Sequence, residues 1–389
     1  MALTIRIVAG ALLLFVILAG LAVTIAPRFL DRIYYEGPAG DHYDGARFFN
    51  PDGEDTAAPP AGGSRGGFFW RYLTGSDGRP EWPARVPIAP ARPTARVAGE
   101  RMVVTWIGHA SVLVQTHGLN ILTDPVWADR AGPLGLGPRR VAPPGVRFDD
   151  LPPIDLVLVS HNHYDHLDKA TLKRLWRRDR PTIVTSLGND SVIAQTGARA
   201  TALDWGDSVT VRPGVAVTVT RNHHWGSRWF ADRNRALWSA FVVRLPSGNL
   251  FFAGDTGFGD GRWPAEAAAL GPIRLALIPI GAFRFVPGQM ASASHIGPAE
   301  AALVFERLRA ARAIPIHWGT FRLSYEGYDT PPRMLAAAMR CLGRDGFAPV
   351  GIGVPTEVPR AVAPASPPAA TTRAAMLTCL DTAAVRALR

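Results

Sequence analysis

Four potential metal ligands occur within six residues, in the run His-Asn-His-Tyr-Asp-His at positions 161–166. A short aliphatic stretch rich in Val precedes this run and is typical of a buried strand. Side chains two residues apart in an extended chain point to the same side, so His161 and His163 can approach one ion where the strand ends. The turn that follows directs Asp165 and His166 elsewhere. Because imidazole nitrogens and carboxylate oxygens are good ligands for zinc and related metals, the run predicts a metal site.

Three later segments also place ligand-type residues directly after apolar strands. The first ends in His223 and His224, the second carries Asp255 between glycines, and the third ends in His317. Glycines beside Asp255 let the backbone and a metal approach closely. A single His at a strand end is more often a surface or core residue than a ligand. Four such segments in one chain favour a shared site, although the spacing alone does not decide between His223 and His224.

Strands and helices alternate between these segments and must bring them together. Short apolar runs predict strands at residues 103–107, 111–115, 120–124, 155–160, 182–185, 215–220, 240–245, 250–253, 275–280 and 313–316. Helices are predicted over 168–178 with Asp168 as the cap, over 298–312 with Pro298 at the first position, and over 330–343. Clusters of strands interrupted by helices indicate α/β layering.

Residues 7–26 form an uncharged apolar run, which is about the length needed to cross a hydrocarbon core as a helix. A cleaved signal peptide is the alternative, because the region before the run is short and basic. Pro27 discourages cleavage after Ala26, whereas a site after Ala22 stays open. We expect a retained anchor and a membrane-associated protein with one N-terminal pass. The flanking arginines nearly balance, so the orientation is not readable.

Composition divides the chain into four regions. Residues 1–26 are the anchor or signal segment, and 27–96 are an irregular extension rich in Gly and Pro. Residues 97–358 form the predicted catalytic domain, and 359–389 are an Ala/Pro-rich tail. A short helix is expected near the C-terminus, with one apolar side formed by Met376, Leu377, Leu380 and Leu388.

The net charge of +10 and a pI near 10.3 are compatible with anionic membranes, nucleic acid or anionic substrates. No long Lys/Arg tract suggests a nucleic-acid arm, so no nucleic-acid partner is expected. Cys341 and Cys379 lie far apart and outside any C-x-x-C spacing, which predicts neither a disulfide nor a thiolate metal site. Cys341 is expected to be a small buried residue in a helix.

The order of the motifs resembles the metallo-β-lactamase superfamily of binuclear metal hydrolases. His-x-His-x-Asp-His is followed by a His, by Gly-Asp-Thr-Gly at 254–257 and by His317. Finer stretches between about residues 97 and 353 are similar to the N-acyl-phosphatidylethanolamine-hydrolysing phospholipase D branch. They are Thr-Trp-Ile-Gly-His-Ala-Ser at 105–111, Leu-Thr-Asp-Pro-Val-Trp at 122–127, His-His-Trp at 223–225, Ile-Pro-Ile-Gly-Ala at 278–282 and Ile-His-Trp-Gly-Thr-Phe at 316–321.

The resemblance implies a four-layer αββα sandwich with the site at one edge of the two sheets. It also implies two zinc ions, with manganese or iron not excluded. His224 is preferred over His223 as a ligand because it directly precedes Trp225, as in the family pattern. Asp255 would bridge the two ions, and the remaining ligands would be His161, His163 and His224 for one ion and Asp165, His166 and His317 for the other.

The implied reaction is attack of a hydroxide, held between the two metals, on a phosphodiester phosphorus. Asp255 would orient the hydroxide, Asp165 would help to position water, and His295 would contact the phosphate or protonate the leaving group. The alternative for His295 is a helix-entry residue bonded to the backbone. The sequence contains neither a G-x-S-x-G elbow nor a Walker-type loop, as expected for a mechanism without a protein nucleophile.

A membrane phospholipid such as N-acyl-phosphatidylethanolamine is the substrate implied by the resemblance. The anchor, the basic charge and two aromatic residues expected to contact substrate, Trp225 and Phe283, are consistent with an anionic membrane surface, although aromatic residues near ligands are also ordinary packing. One alternative is a lactonase or soluble phosphate-ester hydrolase of the same fold. Another is a non-catalytic membrane-surface protein, against which the complete ligand set argues. The oligomeric state is not readable from the sequence.

Overall fold

The computed structural model of the chain describes residues 2–53, 78–229, 231–286, 288–360 and 371–388. The strands in these ranges are β1 (Met102–Gly108), β2 (Ser111–Thr116), β3 (Leu119–Thr123), β4 (Leu156–Val159), β5 (Thr182–Ser186), β6 (Thr201–Leu203), β7 (Ser208–Arg212), β8 (Val215–Thr220), β9 (Ala240–Arg244), β10 (Asn249–Phe252), β11 (Ile273–Pro279), β12 (Arg312–Ile316) and β13 (Pro355–Val358). The helices are α1 (Ala2–Leu30), α2 (Lys169–Arg178), α3 (Asn189–Ala194), α4 (Trp263–Ala268), α5 (Pro298–Leu308), α6 (Thr330–Leu342), α7 (Arg373–Leu380) and α8 (Ala383–Arg386).

The strands form two sheets, with orders β13-β1-β2-β3-β4-β5-β6 and β12-β11-β10-β9-β8-β7. Strands β3, β4, β5 and β6 are parallel to one another, and so are β10, β11 and β12. Strand β8 has the same direction as β10, because each is antiparallel to the intervening β9. Parallel strands end at the same edge of a sheet, so the loops after β4, β8, β10 and β12 can meet there.

Successive residues of a strand point to opposite faces of the sheet, and in β9 the residues on both faces are apolar and buried. Ala240 and Val242 pack in the core between the second sheet and helices α4 to α7, whereas Phe241 and Val243 pack between the sheets. A third core lies between the first sheet and helices α2 and α3. The layers are therefore helix, sheet, sheet and helix, and the predicted αββα sandwich is confirmed.

The three predicted helix starts are confirmed to within one residue, and one predicted end is wrong. The Asp168 side chain caps α2 by accepting from the Ala170 and Thr171 amides, and α5 begins at Pro298. Helix α5 ends at Leu308 rather than near residue 312, because Arg309 adopts a left-handed conformation (φ 50°) and the chain then enters β12.

Helix α1 is long and apolar enough to cross a membrane, with a mean hydropathy of 2.7 and no burial against the rest of the protein. A signal sequence meets the same criteria, so the retained anchor remains a prediction. The chain after α1 is held against the predicted catalytic domain. Asp31 pairs with Arg235 at 2.8 Å and with Arg47 at 2.9 Å, and the Tyr34 hydroxyl donates to Asp232 at 2.8 Å.

Part of the N-terminal extension covers the catalytic domain. Tyr43 and Phe48 are buried against Leu237 and Trp238, and the Asn50 amide donates to the His224 carbonyl at 2.9 Å. The rest of the predicted extension includes residues 54–77, which lie outside the described residues.

The C-terminal segment folds onto the catalytic domain and corrects the cysteine prediction. Cys341 of α6 and Cys379 of α7 form a disulfide that their spacing did not imply, and Cys341 lies in a helix as expected but is only partly buried. Their separation of 38 residues gave no spacing signal, because the pairing depends on how α7 packs against α5 and α6. The expected apolar residues do not come from one helix, because Met376, Leu377 and Leu380 lie in α7 whereas Leu388 follows α8; Met376, Leu380 and Leu388 are buried, and Leu377 is partly buried.

Candidate metal centre

Three histidines converge from the loops after β4 and β8. His161 Nε2 lies 2.8 Å from His163 Nδ1, which lies 3.4 Å from His224 Nε2. All three rings meet at roughly right angles and surround one small space. These nitrogens form a group that could hold a single metal ion.

A second group lies beside the first. Asp165 Oδ2 is 3.6 Å from His166 Nε2 and 3.5 Å from His317 Nε2. The turn after His163 sends Asp165 and His166 to this side, and β12 delivers His317 from the other sheet. The first group uses ligands after β4 and β8, and the second uses ligands after β4 and β12.

Asp255 lies between the two groups. Its Oδ2 atom is 3.0 Å from His166 Nε2, 2.9 Å from His317 Nε2 and 4.0 Å from His224 Nε2. The preceding Gly254 has φ +60°, and a Cβ atom there would lie 2.7 Å from the Ser160 Cβ atom. Glycine is therefore required for the loop after β10 to pass beside the β4 loop and place Asp255 in the centre.

The donor set fits a pair of metal ions. Asp255 Oδ1 is buried without a hydrogen-bond partner among the described residues, and Nε2 of His166 and of His317 faces Asp255 Oδ2 at 2.9–3.0 Å without the alignment of a hydrogen bond. Buried polar atoms are normally paired, so unpartnered atoms that point into one space indicate that a cation belongs there. Nitrogen and carboxylate oxygen donors suit zinc and its first-row neighbours.

Burial sets the protonation of the histidines in the first group. It lowers the pKa of His163 to about 3 and the pKa of His161 and His224 well below the usual value. Neutral imidazole is the form that binds metal. Burial opposes ionisation of Asp165 and Asp255, but the adjacent histidines outweigh it and hold the pKa of both carboxyls well below the ordinary value.

Two residues behind the ligands had no role in the sequence prediction. Asp124 accepts from His166 Nδ1 at 2.6 Å and from the Ser160 amide at 2.7 Å, which fixes the His166 ring with Nε2 towards the centre. His109 Nε2 lies 3.0 Å from Asp165 Oδ2. Carboxylate and imidazole partners of this kind orient metal ligands. Both residues lie within stretches that carry the family resemblance, which was the only available signal.

The geometry places His224, and not His223, beside the other candidate ligands. His223 Nδ1 lies 2.9 Å from Asp52, away from the candidate centre, whereas His224 Nδ1 donates to the Ser294 carbonyl at 2.9 Å and its Nε2 faces His163. The structure therefore brings all seven predicted ligands together, including His224.

A cavity of about 430 Å³ opens above the centre. His163, Asp165, Asp255 and His295 form its floor, and the wall is largely apolar. The lining on that wall includes Trp225, Phe285, Leu323, Tyr164 and residues 131–133 and 137–138.

The predicted substrate contacts are only partly brought to this cavity. Trp225 lines it, and His295 Nδ1 lies 3.8 Å from Asp255 Oδ2. Phe283 does not line it, because its side chain is fully buried in a cluster with Met334 and Leu388. The chain turns after β11 so that Phe285 reaches the cavity in its place.

The chain is similar in sequence to known proteins of one superfamily. Residues 119–318 match the family described as the beta-lactamase superfamily domain. The chain is 39% identical over 244 residues to N-acyl-phosphatidylethanolamine-hydrolyzing phospholipase D 1 of Caenorhabditis elegans, which covers 60% of this chain and 68% of that protein. It is 30% identical over 226 residues to a metal-dependent hydrolase of Pyrobaculum islandicum, covering 57% of this chain and 86% of that protein.

Solved structures share the fold at low sequence identity. A metallo hydrolase from the archaeon Ignicoccus hospitalis has a TM-score of 0.51 at 20% identity, covering 67% of this chain and 99% of that chain. A possible metal-dependent hydrolase from Veillonella parvula has a TM-score of 0.52 at 15% identity, covering 67% and 99%. The family match, the homologues and the fold together show that the chain belongs to the metallo-β-lactamase-fold hydrolase superfamily, with sequence similarity to its N-acyl-phosphatidylethanolamine-hydrolysing phospholipase D branch.

Proposed function

We propose that the protein is a binuclear-metal phosphodiesterase that hydrolyses N-acyl-phosphatidylethanolamine-like lipids. The observation that carries the proposal is the position of Asp255 Oδ2 between two groups of buried ligands, 2.9–3.0 Å from His166 and His317 and 4.0 Å from His224. One carboxylate shared by two such groups is an arrangement that can hold a pair of metal ions. The 39% identity to the Caenorhabditis elegans phospholipase D supports a lipid phosphodiester as the bond that is hydrolysed.

Seven side chains of this protein would hold the metals, which we propose to be zinc. The first ion would be bound by His161, His163 and His224 and the second by Asp165, His166 and His317, with Asp255 shared. When bound, the metal pair supplies Lewis acidity towards phosphate oxygens and lowers the pKa of water.

The residues around the ligands position substrate and water. Asp165 and Asp255 are held ionised, so they can orient a water molecule by accepting its hydrogen bonds. His295 lines the cavity close to Asp255, and burial lowers its pKa to about 4, so it is a neutral imidazole at physiological pH. A neutral His295 can donate a hydrogen bond to a phosphate oxygen or to the leaving oxygen.

A lipid substrate is supported by the wall of the cavity and by α1. Trp225, Phe285 and Leu323 offer apolar surface beside the polar floor, which suits a molecule with a phosphate and acyl chains. Helix α1 would keep the domain at the membrane as a single N-terminal pass, and the net charge of +10 would favour anionic lipid.

Purified protein loaded with zinc and supplied with N-acyl-phosphatidylethanolamine in mixed micelles should release phosphatidic acid. Mass spectrometry of the extracted lipids measures the product, and the metal-free protein is the control. If no phosphatidic acid is formed with zinc bound, the proposed lipid substrate is wrong.

A lactonase or soluble phosphate-ester hydrolase is the second candidate. The similarity to a metal-dependent hydrolase of Pyrobaculum islandicum, whose matching region covers 86% of that protein, supports metal-dependent hydrolysis under either candidate. A variant lacking residues 1–26 that hydrolyses lactones or soluble phosphate esters, but no phospholipid, would support this candidate over the first.

A further inference from the structure

A short projection forms one wall of the cavity above the metal centre. This projection, the rim finger, consists of residues 129–140. Its arms are joined by an antiparallel bridge between Arg130 and Arg139. At its base the buried Arg140 guanidinium donates to the Val126 carbonyl at 2.8 Å. The rim finger is therefore fixed to the body of the domain and has a defined shape.

The tip of the rim finger exposes apolar side chains. Leu134 is 90% exposed and Leu136 is 64% exposed, on either side of Gly135 in a turn of 3₁₀ helix. In the described part of the chain outside α1, the only other exposed large apolar residues are Ile33, Leu270 and Val354. Two exposed leucines on one structured tip form an apolar patch of the kind that marks an interaction site.

Cationic side chains flank this patch. Arg130 and Arg139, near the start and end of the finger, are both exposed, and neither forms a salt bridge within the described residues; the Arg130 guanidinium donates to the Gly137 carbonyl at 2.9 Å. Arginine beside exposed leucine is suited to a bilayer surface, where the guanidinium meets lipid phosphate and the leucine enters the acyl region. A purely apolar protein partner would leave these charges without counterparts.

The base of α1 adjoins the same cavity. Tyr34, four residues after α1, donates to Asp232, which also accepts from the Ser227 hydroxyl at 2.6 Å and the Arg228 amide at 2.9 Å. Ser227 and Arg228 line the cavity together with the inner side of the rim finger. A membrane crossed by α1 would therefore lie close to the cavity and to the finger.

We propose that the rim finger docks into an anionic lipid bilayer, with Leu134 and Leu136 in the acyl region and Arg130 and Arg139 at the lipid phosphates. The proposal rests on the proposed function, because it supplies the path by which a phospholipid leaves the bilayer. The inner side of the finger, including Pro133 and Pro138, leads from the tip towards the metal centre.

Nitroxide labels at the tip test the proposal on the full chain. The two natural cysteines are paired with each other, so Leu134→Cys and Leu136→Cys each introduce a single free thiol for labelling. The labelled proteins are placed in vesicles of phosphatidylcholine and phosphatidylglycerol, and spin relaxation by oxygen is compared with relaxation by a water-soluble nickel chelate. Leu270→Cys is the control, since Leu270 is exposed beside the N-terminal ends of β10 and β11, opposite the site.

We expect the labels at 134 and 136 to be relaxed several-fold more by oxygen than by the nickel chelate, and the label at 270 to show the reverse. If the labels at 134 and 136 are as accessible to the nickel chelate as the label at 270, the proposal is wrong. The measurement needs no turnover, so absence of phospholipid hydrolysis would remove the proposed function without altering this result. Circular dichroism of each labelled variant confirms that the fold is retained.

The disulfide carries a second, independent inference. Cys341 and Cys379 are the only cysteines in the chain, and they join α6 to α7. Disulfides persist in oxidising compartments and are rare in the reducing cytosol. We infer that the catalytic domain lies on the oxidising side of the membrane crossed by α1, and that its lipid substrate comes from the leaflet on that side.

Labelling of Leu270→Cys in spheroplasts of a bacterial host tests this sidedness. A membrane-impermeant maleimide should label the thiol at position 270 equally in intact and in lysed spheroplasts. Labelling that requires lysis would overturn the inference, because the domain would then face the cytosol. A cytosolic protein with an exposed thiol, measured in the same cells, controls for leakage.

Discussion

At the residue scale, the geometry of the metal centre depends on side chains behind the ligands. Asp124 holds His166 through a 2.6 Å contact and also accepts from Ser160. We predict that Asp124→Asn lowers metal affinity and hydrolysis by about 10- to 100-fold, because the His166 ring loses its charged partner. Metal titration and an activity assay measure the loss. Asp329→Asn, which changes an exposed carboxylate, is the matched control, and equal behaviour of the two variants would contradict the role of Asp124.

Glu300 is a second residue whose environment leads to a prediction. Burial raises its pKa to about 7, although Arg373 lies 2.7 Å from Oε1. The pKa of the folded state is above the usual value of 4.5, so the folded protein binds this proton more tightly and loses stability as pH rises from about 4.5 to 7. We predict that Glu300→Gln raises the melting temperature by about 2 °C or more at pH 8 and has little effect at pH 5. Calorimetry of the wild type and the variant at the two pH values measures the difference in melting temperature. The same difference at pH 5 and pH 8 would contradict this prediction.

At the scale of elements, the strands that carry the site could be predicted from sequence because they are short, aliphatic and buried. Residues 155–160 contain β4 (Leu156–Val159), and residues 215–220 are β8. Strands β6, β7 and β13 were missed because each is short, lies at an edge of its sheet and leaves side chains exposed or only partly buried. Such strands form because they pair with a strand that is distant in sequence, and the local sequence pattern does not predict that pairing.

The loop after β10 leads to a prediction about a glycine. A Cβ atom at Gly254 would lie 2.7 Å from the Ser160 Cβ atom and 3.0 Å from the Ser239 carbonyl. We predict that Gly254→Ala displaces Asp255 and reduces bound metal at least about tenfold, with a loss of stability above about 1 kcal/mol. Gly214→Ala is the control, because Gly214 also has a positive φ (+78°) but its nearest contact is 3.9 Å away. Metal content that is equal in the two variants would show that space at Gly254 is not required.

At the scale of the whole molecule, the disulfide ties the C-terminal helices to the catalytic domain across 38 residues. We predict that replacing both cysteines with serine lowers the free energy of unfolding by about 3 kcal/mol, because the unfolded chain gains freedom. Denaturant titration measures the change, and the wild type under reducing conditions should match the variant. An unchanged midpoint would mean that the disulfide does not form in solution.

The overall fold could be predicted from the sequence, whereas several of its contacts could not. The motif order implied the sandwich and the set of ligands, and the structure brings those residues together. The disulfide and the burial of Phe283 were not predictable, because both depend on how the C-terminal segment packs. Cys379 and Leu388 come from a tail that composition presented only as an Ala/Pro-rich extension. Contacts made by such a segment depend on tertiary packing rather than on local pattern.

The most direct test of the central claim is the metal content and phosphodiester hydrolysis of the wild type and of Asp255→Asn, measured side by side. Asp255 is the carboxylate that lies between both ligand groups, so its loss should affect both ions at once. We predict about two metals per chain in the wild type, together with loss of bound metal and of hydrolysis in the variant. A wild type with well under one metal per chain, or a variant that remains fully active, would contradict the binuclear hydrolase.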